Sequence, residues 1–130
     1  MNKLILTVGL PRSGKSTWAQ GQALPIVNPD AIRLAIYDQP FIGKAEPYVW
    51  LVAHTMVEAL FLAGHITVIL DATNTTRKRR DEWKSGKWIC EFMVFSTPKE
   101  VCLSRTNDAG LIEAIERMAE GYEPVGWNEQ

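Results

Sequence analysis

The octapeptide Gly9-Leu10-Pro11-Arg12-Ser13-Gly14-Lys15-Ser16 is a full match to the pattern GxxxxGK[ST]. Phosphate needs several donors at short range, and glycines at both ends of such a loop let successive backbone N–H groups turn inward around it. A helix opening at the end of the loop adds its partial positive pole. Lys15 would then reach the β- and γ-phosphates of a nucleoside triphosphate, and the Ser16 hydroxyl would ligate Mg²⁺. Gly9, Pro11, Arg12, Ser13, Gly14, Lys15, Ser16 and Thr17 are the expected nucleotide-contacting residues, with ATP and Mg²⁺ as the expected cofactors.

Three further groups carry chemistry. Asp30 and Arg33 stand three apart in the first turns of an expected helix and so share one face. In a transferase they would serve as the base for an acceptor hydroxyl and the cation for an anionic acceptor group. The alternative is an acid that suits the helix dipole and forms a local ion pair. Asp71 follows the apolar run Ile66–Leu70, where a carboxylate at the carboxyl end of a buried strand would orient Mg²⁺ or its water shell. It would otherwise simply open the turn Asp71-Ala72-Thr73-Asn74. Arg77-Lys78-Arg79-Arg80 is the only basic run and precedes Trp83 and Trp88. It would either track a nucleic-acid backbone beside stacking aromatics or form a solvated helix face.

These residues need elements to position them. Leu4–Val8 ends at Gly9 and reads as a buried strand, followed by a loop and a helix from Lys15 to about Gln22. Leu24–Val27 is a second strand. Asn28-Pro29-Asp30 opens a helix, with Asn28 as cap and Pro29 in the first position. Pro40, Gly43 and Pro47 punctuate a loop before a helix from about Tyr48 to Leu62 that stops at Gly64. Its stripe Trp50, Met56, Leu60 and Phe61 is the expected buried face. Strands over Ile66–Leu70 and Trp88–Phe95, and helices over Thr76–Lys84, Pro98–Arg105 and Leu111–Glu120, complete the pattern. Strands alternating with helices predict an α/β fold, a parallel sheet covered on both faces, in one domain spanning residues 1–130. His54 and His65 are isolated and structural, and Trp18 is a packing residue.

Composition narrows the function. Lys and Arg number 14 against 15 Asp and Glu, a net charge of −1, so no global basic field recruits nucleic acid and a polyanion site must be a local patch. Cys90 and Cys102 are too few for a disulfide framework and have no zinc spacing. The apolar start is too short for a signal peptide, and no apolar run spans a membrane. A cytoplasmic protein is expected.

Taken together, Lys3–Trp18 with its phosphate loop, Asn28-Pro29-Asp30-Ala31-Ile32-Arg33 and Asp71-Ala72-Thr73-Asn74 resemble the kinase domain of phage polynucleotide 5′-hydroxyl kinase and its small bacterial relatives. The resemblance runs from Asn2 to about Trp127. It implies a three-layer P-loop kinase fold with strand order 2-3-1-4-5. Relatives enter the fifth strand past a segment like Glu123-Pro124, whereas this sequence stops at Gln130, so that strand is expected to be missing. Lys15 and Ser16 would bind the ATP phosphates and Mg²⁺, Asp30 would be the general base, and Arg33 would hold an acceptor phosphate. Asp71 would lie beside the phosphates, with Asn74, Arg79 and Arg80 on the acceptor side. Relatives also carry two arginines on a lid between the last two helices. Arg105 matches the first, but Ala109 stands where the second would be and Asp108 has the wrong sign, leaving Arg117 or Arg12 as substitutes. Arg105 or the tail Glu123–Trp127 would flank the base. The implied activity is transfer of the γ-phosphate to a polynucleotide 5′-hydroxyl, with single-stranded nucleic acid as the partner. The alternatives are a kinase for a small metabolite or antibiotic, and a weakly active nucleotide-binding module with a degenerate lid.

Overall fold

Aliphatic residues over Lys3–Val8 form strand β1, and the computed structural model, which describes residues 1–37 and 43–129, builds the remaining elements around it. They are α1 (Lys15–Gln20), β2 (Ile26–Val27), α2 (Pro29–Tyr37), α3 (Glu46–Leu62), β3 (Thr67–Leu70), α4 (Arg77–Asp81), β4 (Ile89–Val94), α5 (Lys99–Ser104) and α6 (Ala109–Glu120). Short 3₁₀ turns cover Gly43–Ala45 and Trp127–Glu129. The sheet is parallel throughout, ordered β2-β3-β1-β4, with Lys3 level with Thr67 on one side and Ile89 on the other. Among the described residues it has no fifth strand.

Alternation along the central strand sorts the faces. Leu4 and Leu6 join Val68, Leu70 and Val27 beneath α2 and α3, where Ile32, Val49, Ala53, Val57, Trp83 and Trp88 complete the main core. Leu10, Cys102 and Ile115 form a smaller cluster under α5 and α6. A strand hemmed in on both faces explains why its sequence reads as a nearly unbroken apolar run.

The boundaries that moved have local causes. Strand β2 covers only Ile26–Val27 because Pro25 has no N–H to donate and Ala23 sits at φ 56°. Helix α3 begins at Glu46 because Pro47 occupies its first turn rather than the preceding loop, while Pro40 lies outside the described residues. Its buried stripe is Val49, Ala53 and Val57, flanked by Trp50, Leu60 and Phe61; Met56 faces outward, a correction to the expected stripe. Helix α6 begins early because the Asp108 carboxylate accepts the Leu111 N–H at 2.8 Å. That cap leaves only four residues, Arg105–Asp108, between α5 and α6. Among the described residues no helix is long and apolar enough to cross a membrane.

Candidate active site

The carboxyl ends of all four strands lie along one edge, where open parallel sheets bind ligands. Val8 delivers Gly9 and the phosphate loop to that edge. A Cβ on Gly9 would sit 2.8 Å from Ser13 Oγ, 3.0 Å from Phe95 Cβ and 3.1 Å from the Phe95 carbonyl oxygen, so the loop closes only without a side chain there. Gly9→Ala is expected to destabilise the fold by about 1–3 kcal/mol of overpacking and to weaken nucleotide affinity. Calorimetric melting and titration of the same samples check both. Gly14, at φ 103°, starts α1 in a left-handed conformation that suits glycine, and Arg12 takes φ 66°. The loop is tied down from outside: Gly9 N–H donates to Thr73 C=O at 2.9 Å, and Thr97 Oγ1 donates to Ser13 C=O at 2.8 Å.

Lys15 is only 7 % exposed. Its ammonium donates to Leu10 C=O at 2.6 Å and Ser13 Oγ at 3.3 Å. Burial pushes its pKa down from 10.5 to about 8, opposed by the negative charge of Asp71 and then by the nearby Cys102 and Asp30. The Ser16 hydroxyl donates to Asp71 Oδ2 at 2.7 Å, and Asn28 Nδ2 approaches the same oxygen at 3.4 Å. A hydroxyl and a carboxylate oxygen in contact are the hard oxygen donors that Mg²⁺ takes. Among the described residues no three His, Cys, Asp or Glu side chains gather around a metal position, so water and phosphate would complete the shell.

Opposite, Asn28 Oδ1 accepts the Asp30 N–H at 2.8 Å and so fixes the start of α2. The Asp30 carboxylate is 83 % exposed and is held by Arg33 Nη1 at 2.6 Å. Arg33 itself is gripped by Glu46 through two parallel bonds, Nε to Oε2 at 2.9 Å and Nη2 to Oε1 at 2.6 Å. Tyr37 OH adds a third bond to Glu46 at 2.9 Å. The Arg33 bonds, helped by Tyr37, hold the Glu46 carboxyl below its usual range, and Glu46 raises the Arg33 guanidinium above its own. Sequence spacing gave no hint of Glu46, thirteen positions from Arg33, or of Tyr37.

Three cations of the basic run, Arg77, Arg79 and Arg80, are ion-paired, and Lys78 is exposed. Arg77 pairs with Asp81 and Arg79 with Glu82, while the Arg79 guanidinium lies 4.0 Å from the centroid of the Trp50 ring. Arg80 is 1 % exposed and bonded to Glu129, which corrects its expected acceptor contact: a guanidinium sealed inside cannot meet a ligand. Asn74 is likewise 1 % exposed, its amide donating to Thr7 C=O at 2.9 Å, so it braces β1 rather than facing an acceptor. Trp83 and Trp88 are buried and offer no stacking surface. His54 stacks flat on Trp83 at 3.8 Å, and Trp18 meets Phe95 edge-on. Arg105 stays at the loop, its Nη1 donating to Arg12 C=O at 2.8 Å. Arg117 lies on the outer face of α6 among Lys99, Glu113 and Glu116. The tail folds back against the turn after β3, and Trp127 is 90 % exposed.

The fold is shared with known proteins. A family model described as an AAA domain matches residues 4–122. One chain of a solved Pnkp1/Rnl/Hen1 complex is 28 % identical with a TM-score of 0.73, over 83 % of this chain and 40 % of that one. A chain of the Pnkp1/Rnl/Hen1 RNA repair complex gives 22 % and 0.68, over 94 % and 46 %. A gluconokinase from Sinorhizobium meliloti 1021 gives 21 % and 0.61, over 94 % and 75 %. The protein thus spans less than half the length of the two complex chains. All three share the P-loop kinase fold, which implies nucleotide binding.

Proposed function

The chain belongs to the AAA domain family, among its P-loop polynucleotide kinase-like members, and we propose that it moves the γ-phosphate of ATP to a hydroxyl acceptor, the 5′-hydroxyl of a polynucleotide. The observation that carries the reading is the contact between Ser16 Oγ and Asp71 Oδ2 beside the buried Lys15, with Asp30 in the first turn of α2, just beyond β2. A module that merely held nucleotide would not require Asp30 there.

Each residue has one task. The loop from Gly9 to Thr17 cradles the phosphates with its backbone N–H groups, and Lys15 places a point charge on the β- and γ-oxygens. Ser16 and Asp71 would hold Mg²⁺, which when bound neutralises charge on the transferring group. Asp30 takes the proton of the acceptor hydroxyl, and Arg33 fixes the direction of that carboxylate. Arg105, anchored at the rim of the loop, supplies the cation for charge that develops during transfer.

A second acceptor class has its own support. Arg77, Arg79 and Arg80 are each ion-paired, and Glu46 fills one fork of Arg33. A surface with that many of its cations already paired suits a small hydroxylated metabolite better than a long polyanion. γ-Labelled ATP and Mg²⁺ offered to a single-stranded 5′-hydroxyl oligonucleotide, to a panel of small alcohols and to water separates the readings. Label is expected on the oligonucleotide terminus. Label on an alcohol instead selects the metabolite reading, and label found only as free phosphate rejects transfer altogether.

A further inference from the structure

The tail carries an ion pair that the site chemistry leaves unexplained. Arg80 and Glu129 are each 1 % exposed at their side chains, forty-nine positions apart in sequence. Arg80 Nε donates to Glu129 Oε1 at 2.8 Å and Nη2 to Oε2 at 3.1 Å. Two further N–H groups are used: Nη1 meets Asn74 C=O at 3.0 Å and Nη2 meets Pro124 C=O at 3.4 Å. Glu129 Oε2 accepts the Gly126 N–H at 2.7 Å as well. Arg80 holds the Glu129 carboxyl below its usual range.

A buried pair of this kind contributes little net stability, because desolvation offsets the attraction and apolar replacements of similar volume commonly do as well. What an apolar pair cannot do is donate to Asn74 C=O. That carbonyl belongs to a residue in a costly conformation: Asn74 has φ 45°, and its Oδ1 is buried without a partner among the described residues. The turn it ends is the one that presents Asp71 to Ser16 and offers Thr73 C=O to the Gly9 N–H. The tail adds a second tie, Glu123 N–H to Thr75 C=O at 2.8 Å.

We propose that Glu129, acting through Arg80 on the Asn74 carbonyl, is a positioning residue for the 71–74 turn and so sets both the Asp71 carboxylate and the first glycine of the phosphate loop. The metal part of this claim rests on the reading that Ser16 and Asp71 hold nucleotide-bound Mg²⁺; the part about Gly9 does not.

The test is the double variant Arg80→Met with Glu129→Leu, which keeps the buried volume and removes both charges. It is expected to fold, with a melting point lowered by the loss of partners for Asn74 C=O and the Gly126 N–H. In the ligand-free state its Gly9 and Glu123 amides should exchange hydrogen faster. The gain in affinity for a non-hydrolysable ATP analogue on replacing EDTA with Mg²⁺ should shrink by about 10- to 100-fold, the usual effect of removing support behind a metal ligand. A stable double variant with unchanged Gly9 exchange and an unchanged Mg²⁺ gain overturns the proposal. Absence of any Mg²⁺ gain in the parent rejects the metal reading alone, and Gly9 exchange then decides. Should the double variant fail to fold, Glu129→Gln, which keeps size and an acceptor oxygen, is judged by the same two readouts.

Discussion

Lys15→Met should leave a folded protein whose affinity for ATP falls below detection in a calorimetric titration. The ammonium lies in the loop and is the only lysine in it, so methionine removes a full charge from the phosphate site while keeping the length of the side chain. The same change should not weaken the empty protein. Holding a charged lysine under this much cover costs on the order of 3 kcal/mol at neutral pH, the free-energy equivalent of a pKa held near 8 instead of 10.5. Loss of the bond to Leu10 C=O, which still accepts the Ser13 N–H at 3.2 Å, offsets about 1 kcal/mol of the relief. The pH dependence follows with a definite sign. Between pH 8 and 10.5 the unfolded chain keeps a proton on Lys15 that the folded chain has lost, so wild-type stability should rise relative to Lys15→Met across that window. Nucleotide affinity should run the other way, weakening by about tenfold for each pH unit above 8, because bound phosphate requires the proton back. Paired melts and titrations at several pH values check both slopes; parallel behaviour of the two proteins would remove Lys15 from the site.

Asp30→Asn should have the opposite profile: nucleotide affinity within twofold of wild type, by titration, and transfer slowed by about 10²- to 10⁴-fold, the usual worth of a positioned base. The isosteric amide still accepts from Arg33 but cannot take a proton from the acceptor. Single-turnover transfer to whichever acceptor is labelled in the screen is the measurement. An unchanged rate would leave Asp30 as nothing more than the partner of Arg33, the local ion pair its spacing also allowed.

The parts of this molecule that could be read from the residues are those fixed by near neighbours in sequence. The glycine pattern from Gly9 to Gly14 and the cap Asn28 before Pro29 encode their own geometry, as does the apolar run that delivers Asp71. The acceptor side was harder for a definite reason. Arg79 and Arg80 are adjacent, yet consecutive helix positions point about 100° apart, so one lies over Trp50 while the other enters the interior. A run of four basic residues conceals that difference. What decides it is Glu129, and what decides the state of Arg33 is Glu46; both contacts close only in three dimensions. Asp108 shows the same limit from the other side: its charge drew a functional reading, whereas its carboxylate serves to begin α6.

The central position of β1 also orders events in time. Strand β1 pairs with β3 and β4, whose matching residues to Lys3 are Thr67 and Ile89, so during synthesis it gains neither neighbour until the chain has been made as far as β3. Its phosphate loop waits longer still, since Thr73 and Thr97 supply the braces at Gly9 and Ser13. A nascent chain that ends before Thr97 therefore lacks one brace of its phosphate loop.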